Sequence, residues 1–170
     1  MVSISKKVCL LGDFAVGKTS LVRQFVYSVF DDRYLSTIGV KVSRKVVATP
    51  RGDDVAELTL MLWDLAGAEE FDGVRASYLR GSAGALLVCD VTRRGTLDTL
   101  HAYAADLRSV APGAPVILAA NKSDLADRRE ISEDQVAAVA RELLAPYYLT
   151  SAKSGAGVED AFRHLGRLVI

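Results

Sequence analysis

The sequence predicts an α/β protein in which a mostly parallel sheet is covered by helices on both faces. Two observations carry that expectation. Short strand-like runs alternate with amphipathic helix-like runs along the whole chain. The run Gly12-Asp13-Phe14-Ala15-Val16-Gly17-Lys18-Thr19 stands directly behind an apolar stretch at 8–11 and opens a helix-like stretch, which is the setting a phosphate-binding loop requires. In such a loop the glycines let backbone N–H groups turn around a polyphosphate, Lys18 reaches the terminal phosphates, and the Thr19 hydroxyl can ligate Mg²⁺.

The elements follow in order. After the strand at 8–11, Leu21, Val22, Phe25, Val26, Val29 and Phe30 recur at helical spacing and predict the first helix. Residues 40–49 and 55–63 read as strands, and Pro50-Arg51-Gly52-Asp53-Asp54 between them joins the two as an antiparallel hairpin. Later strands are expected at 85–91, 115–120 and 147–149, with helices near 95–110 and 132–144 between them. Ser132 and Gln135 have capping-box spacing. The last helix places Val158, Ala161, Phe162, Leu165, Leu168 and Val169 along one stripe.

Length and composition bound the reading. A chain of 170 residues with 50% apolar content is expected to form a single domain, 1–170, with a sizeable core. Lys plus Arg equals Asp plus Glu, 21 against 21, so the bulk charge recruits neither nucleic acid nor anionic lipid. Cys9 and Cys89, the two cysteines, both lie in apolar runs, which favours buried free thiols in a reducing compartment over a disulfide. No signal-peptide pattern or membrane-length apolar stretch is present, and Val2 stands where myristoylation needs glycine. A cytoplasmic protein without a direct lipid anchor is expected.

A phosphate loop alone does not separate kinases, ATPases and GTPases. Asn121-Lys122-Ser123-Asp124 follows the strand at 115–120, so it falls at a strand's carboxyl end, where open α/β sheets bind ligands. The Asp124 carboxylate can accept from guanine's ring N–H and its exocyclic amino group, a donor pair that adenine lacks. The Lys122 stem can cover the ring face and Asn121 can brace the loop, while Ser151-Ala152-Lys153 offers a second strand-end loop to pack on the base. Alone, Asn-Lys-x-Asp is more often a solvated turn; the phosphate loop makes the combination informative. At the end of the second hairpin strand, Trp63-Asp64-Leu65-Ala66-Gly67 offers Asp64 to hold a metal-bound water and Gly67 to bring an N–H near a terminal phosphate. In isolation it also reads as a strand-end turn. Thr37, between the first helix and the next strand, is a second hydroxyl for the metal shell.

In order, spacing and context these segments resemble the Ras superfamily of small GTPases over essentially the whole chain, most closely its Rab-like branch. Thr37-Ile38-Gly39-Val40, Trp63-Asp64, Tyr78-Leu79-Arg80-Gly81 and Asn121-Lys122-Ser123-Asp124 carry the Rab-like character. The absence of a long tail with terminal cysteines is similar to unlipidated prokaryotic Rab-like proteins. The resemblance implies the P-loop NTPase fold of a small GTPase, with a six-stranded sheet and one antiparallel edge strand. It implies a GTP/GDP site at Gly12, Asp13, Phe14, Ala15, Val16, Gly17, Lys18, Thr19 and Ser20, with Phe30 beside the guanine and Tyr34 over the phosphates. Thr37 and Gly67 complete the phosphate end, and Asn121, Lys122, Asp124, Ser151, Ala152 and Lys153 the base end. Thr19, Thr37 and Asp64 would serve Mg²⁺, and Lys18, Thr37 and Gly67 hydrolysis. Two switch segments, roughly 31–39 and 66–80, would present the nucleotide state to effectors and regulators.

Two departures from the family pattern bear on chemistry. Ala68 occupies the place of the glutamine that orients attacking water, and Phe14 occupies a loop position usually taken by a small residue. The expected function is a guanine-nucleotide switch with slow GTP hydrolysis. The alternatives are a non-hydrolysing GTP-dependent scaffold and, more weakly, a small-molecule kinase. Lys41, Arg44 and Lys45 suggest an acidic partner, though charges that protect an edge strand from aggregation explain them better.

Overall fold

A computed structural model describes residues 1–33, 39–65 and 75–170. Its strands are β1 (Ser3–Leu11), β2 (Val40–Arg51), β3 (Asp54–Leu65), β4 (Gly84–Asp90), β5 (Val116–Asn121) and β6 (Tyr147–Leu149). They form one six-stranded sheet in the order β2-β3-β1-β4-β5-β6. All neighbours pair in parallel except β2 and β3, so β2 is the antiparallel edge strand that was expected.

The strands nearest the middle read as unbroken apolar runs because both faces are covered. Val8 and Leu10 point to one side, into a core shared with Phe25, Phe162 and Leu165. Cys9 and Leu11 point to the other, against Leu79, Leu100, Leu107 and Val136. Helices α1 (Lys18–Tyr27) and α6 (Val158–Val169) cover the first face. The second is covered by α2 (Arg75–Leu79), α3 (Gly95–Asp98), α4 (Leu100–Val110) and α5 (Glu133–Glu142). The fully buried Phe162 stacks on Phe25 with ring centroids 4.3 Å apart, fastening α6 to α1. Ser132 caps α5 with the reciprocal Gln135 bonds that the capping-box spacing predicts, a feature worth about 1 kcal/mol.

Several boundaries depart from expectation. The first helix stops at Tyr27 because Ser28 turns left-handed at φ 55°, its N–H closing on Gln24 O at 3.0 Å. Val29 and Phe30 are therefore exposed residues beyond the helix, not part of its stripe. Leu168 is also exposed, off the buried stripe of α6. β1 begins five residues before the apolar run, since Ser3–Lys7, polar except for Ile4, pair with Glu57–Met61 of β3. In the hairpin only Gly52 and Asp53 turn, and Pro50 and Arg51 stay paired on the edge strand, where proline is tolerated. The helix expected at 95–110 is split at Thr99, whose hydroxyl bonds outside the helix.

Lys7 ties β1 to the end of α2. Its ammonium lies 3.7 Å from the Trp63 ring centroid and donates to Tyr78 O and, at 2.8 Å, to Arg80 O. That places a cation at a helix carboxyl end, where the dipole favours it. Cys9 and Cys89 are buried and free, as expected. Among the described residues no helix is long and apolar enough to cross a membrane.

Candidate functional site

Parallel pairing brings the carboxyl ends of β1, β3, β4, β5 and β6 to one edge of the sheet, and the predicted motifs gather there. The loop predicted to bind phosphate leaves β1 through Gly12, where an added Cβ would stand 2.3 Å from Val88 O. It enters α1 through Gly17 at φ 103°. Only glycine meets both demands at these positions. Lys18 folds back over the loop, 6% exposed, and its Nζ donates to Gly12 O at 2.8 Å and Asp13 O at 3.0 Å. Burial lowers its pKa to about 8, opposed by the nearby Asp64 and Asp13 carboxylates and helped by Arg93.

The loop's other carbonyls are gripped from outside. Arg93 Nη2 donates to Phe14 O at 2.7 Å, Lys122 Nζ to Ala15 O at 3.0 Å, and Asn121 Nδ2 to Val16 O at 3.0 Å. The Asp13 carboxylate turns away from the cleft and accepts from Thr99 Oγ1 at 2.8 Å and Tyr103 OH at 3.0 Å.

At the mouth of α1, Thr19 Oγ1 donates to Asp64 Oδ2 at 2.5 Å. The pair forms an oxygen-only donor set, which suits Mg²⁺: that ion takes few protein oxygens and completes its shell with water and substrate phosphates. At the opposite end of the cleft, Asn121 ends β5 and Lys122 adopts φ 66°. Ser123 N–H donates to Thr150 O at 3.0 Å and Ser151 Oγ to Asp124 Oδ1 at 2.8 Å, so the loops after β5 and β6 are tied together. Ser151 spends one lone pair of one Asp124 oxygen and leaves the carboxylate able to accept more.

Between these ends lies a cleft of about 470 Å³ lined by Phe14, Ala15, Gly17, Lys18, Thr19, Ser20, Phe30, Asn121, Lys122, Asp124, Ala152 and Lys153, all expected from the sequence. That volume is in the range of small-ligand sites. Gly12, Asp13, Val16, Asp64 and Ser151 are not on the lining; they support it from behind. Phe14 stands at the cleft with 61% of its surface exposed. Asp31, Asp32, Arg33, Leu65, Leu125 and Arg128 also line the cleft and were not expected as site residues. Residues 31–33 begin the first expected switch segment, Leu65 lies inside the run that opens with Trp63-Asp64 and Leu125 directly follows Asp124, so these could have been found on that ground; Arg128 carries no local signal. Tyr34, Thr37, Gly67 and Ala68 lie outside the described residues.

The Ras family matches residues 7–170. The chain belongs to the Ras family. It is also 34% identical over 158 residues to the GTP-binding protein ypt4 of Schizosaccharomyces pombe, an alignment covering 92% of this chain and 68% of that protein. As a Rab-like member of the Ras family the chain is a GTP-binding molecular switch and a GTPase, working with regulators and effectors. The six-stranded sheet with its one antiparallel edge strand is the fold of that family.

Proposed function

We propose that this Ras-family protein binds GTP and GDP as a single domain spanning 1–170 in the cytoplasm, hydrolyses GTP slowly, and presents its nucleotide state to effectors through segments 31–39 and 66–80. The observation that supports the assignment of residues is the cleft itself. It has a phosphate cradle with Lys18 and Thr19 at one end and the Asp124 carboxylate at the other. The Asp124 carboxylate accepts two hydrogen bonds from guanine, with Lys122 over the ring, Ala152 and Lys153 against the base, and Phe30 at its side. Lys18 and the backbone N–H groups of the loop hold the phosphates and stabilise charge as it develops on them. Thr19 and Thr37, with the help of Asp64, would hold Mg²⁺, which would supply charge neutralisation at the terminal phosphates. Gly67 brings an N–H to the terminal phosphate.

The slow rate follows from Ala68, a methyl group where an amide would orient water, and from the Phe14 ring at the cleft. A typical intrinsic rate for Ras is about 3–5 × 10⁻⁴ s⁻¹. Single-turnover phosphate release should fall at or below that figure. Ala68→Gln should raise the rate modestly, and Ala68→Gln with Phe14→Gly should raise it beyond the combined single effects, since the two positions would share one space. A wild-type rate above about 10⁻³ s⁻¹, or a double variant no faster than wild type, would show that another residue orients the water. No phosphate release at all would favour the scaffold.

A further inference from the structure

Ala15 is the residue of the phosphate-binding loop whose backbone is least at ease: its φ is 60°, left-handed space that glycine enters freely and alanine does not. The carbonyls flanking it are held by two cations from different parts of the chain. Arg93, beyond β4, grips Phe14 O at 2.7 Å, and Lys122, beyond β5, grips Ala15 O at 3.0 Å. These cations meet on one carboxylate. Asp90 Oδ2 lies 3.1 Å from Arg93 Nε and 2.9 Å from Lys122 Nζ. Its Oδ1 accepts from the Thr92 N–H at 2.9 Å and the Thr92 hydroxyl at 2.7 Å. Asp90 is 1% exposed, while the Arg93 and Lys122 side chains are 43% and 33% exposed, so the pairs are shielded from solvent on the carboxylate side only.

The geometry has a directional consequence. In a planar trans peptide the C=O of one residue and the N–H of the next point in opposite directions. Holding Phe14 O outward on Arg93 therefore aims the Ala15 N–H inward, toward the cleft that Ala15 lines. One guanidinium does both jobs, Nε on the anchor and Nη2 on the carbonyl, which a lysine ammonium lacks the fork to reproduce.

We propose that Arg93, anchored on Asp90, is a positioning residue for nucleotide binding: it clamps the Phe14 carbonyl, holds Ala15 in its left-handed conformation and so presents the Ala15 N–H to a phosphate. Asp90, shared by Arg93 and Lys122, couples the phosphate loop to the Asn-Lys-x-Asp loop. The inference rests on the guanine-nucleotide reading above.

The test uses the full chain loaded with fluorescent GDP for dissociation rates and with GDP for the ³¹P resonance of the bound β-phosphate. Arg93→Ala should speed GDP release about tenfold, the loss expected of one charge-assisted hydrogen bond, and should shift that resonance. Arg93→Lys should keep most of the thermal stability and still release GDP faster than wild type. In an Ala15→Gly background, where φ 60° carries no steric cost, the effect of Arg93→Ala should fall to about twofold. If Arg93→Ala does not fold, Arg93→Lys in the two backgrounds carries the same comparison. GDP release unchanged by either substitution would overturn the clamp, as would equal acceleration in both backgrounds with an unshifted resonance. A wild-type protein that fails to retain GDP would instead overturn the nucleotide reading, and the clamp with it.

Discussion

Gly17→Ala tests how tightly the phosphate and base ends of the cleft are coupled. A Cβ built on Gly17 would stand 2.3 Å from Asn121 Nδ2 and 3.6 Å from Asn121 Cγ. Asn121 is 1% exposed and does two things at once: its amide donates to Val16 O at 3.0 Å, and its Oδ1 accepts from Thr150 Oγ1 at 3.1 Å. Moving that amide leaves buried polar groups without partners, at about 1–3 kcal/mol. The backbone at φ 103° adds about 1–2 kcal/mol for a residue with a side chain. Together these cost about 2–5 kcal/mol, and at about 2–4 °C per kcal/mol for a chain in this size range the Tm should fall by roughly 10 °C. Gly52→Ala is the control, since Gly52 also has a positive φ, 60°, but nothing within 4 Å of an added Cβ. It should cost only the conformational part, about 1–2 kcal/mol or roughly 2–8 °C. Circular dichroism melts of all three proteins at the same excess of GDP keep the ligand's contribution fixed. Dissociation of labelled GDP reads the site directly. Equal Tm losses for the two variants, or GDP release from Gly17→Ala at the wild-type rate, would refute the coupling through Asn121.

Three further outcomes are expected. GTP and GDP should bind far more tightly than ATP by calorimetry, because adenine leaves Asp124 facing no donor, and Asp124→Asn should shift preference toward xanthine nucleotides; equal ATP and GTP affinity would sink the guanine assignment. Thr19→Ala should speed release of both GDP and GTP in Mg²⁺ and leave release in chelator nearly unchanged, whereas Thr37→Ala should affect the triphosphate form more; off-rates matching wild type with and without chelator would remove both residues from the metal shell. Phe162→Ala should destabilise the protein by about 3–5 kcal/mol in denaturant titrations, since it empties the fully buried contact between α6 and α1, and a loss under about 1 kcal/mol would mean the gap closes by repacking.

The motifs at the strand ends were legible because their meaning is local: a glycine, a lysine and a hydroxyl at fixed spacing behind an apolar run, or Asn-Lys-x-Asp behind another. The alternation of strands and helices was equally legible, since burial on both faces makes the strands continuous apolar runs. What escaped notice was set at a distance. Asp13 reads as a loop residue, yet its carboxylate is held by Thr99 and Tyr103, 86 and 90 positions further along the chain. Arg93 reads as a surface charge until the fold sets it on Phe14 O. Phe30 extended a helical pattern by coincidence of spacing, although the family resemblance already set it beside the base; it lines the cleft, and the left-handed Ser28 that ends the helix carries no glycine to announce it. The polar half of β1 is a strand only because β3 supplies partners for its backbone.

The two cysteines give this protein a chemical clock. Both thiols are 0% exposed, on the adjacent strands β1 and β4 at the centre of the sheet. Burial pushes the Cys89 thiol up to about 12 with help from Asp90, and pushes Cys9 up as well, against the pull of the Ser82 hydroxyl and the Lys7 charge. Since the thiolate is the reactive species, neither group is open to an alkylating reagent while the sheet is closed. Modification then counts openings of the central strands, the part of an α/β fold that exposes itself last. Mass spectrometry of alkylated chain can thus report how often the whole core lets go, and how much a bound nucleotide delays it, without a single engineered label.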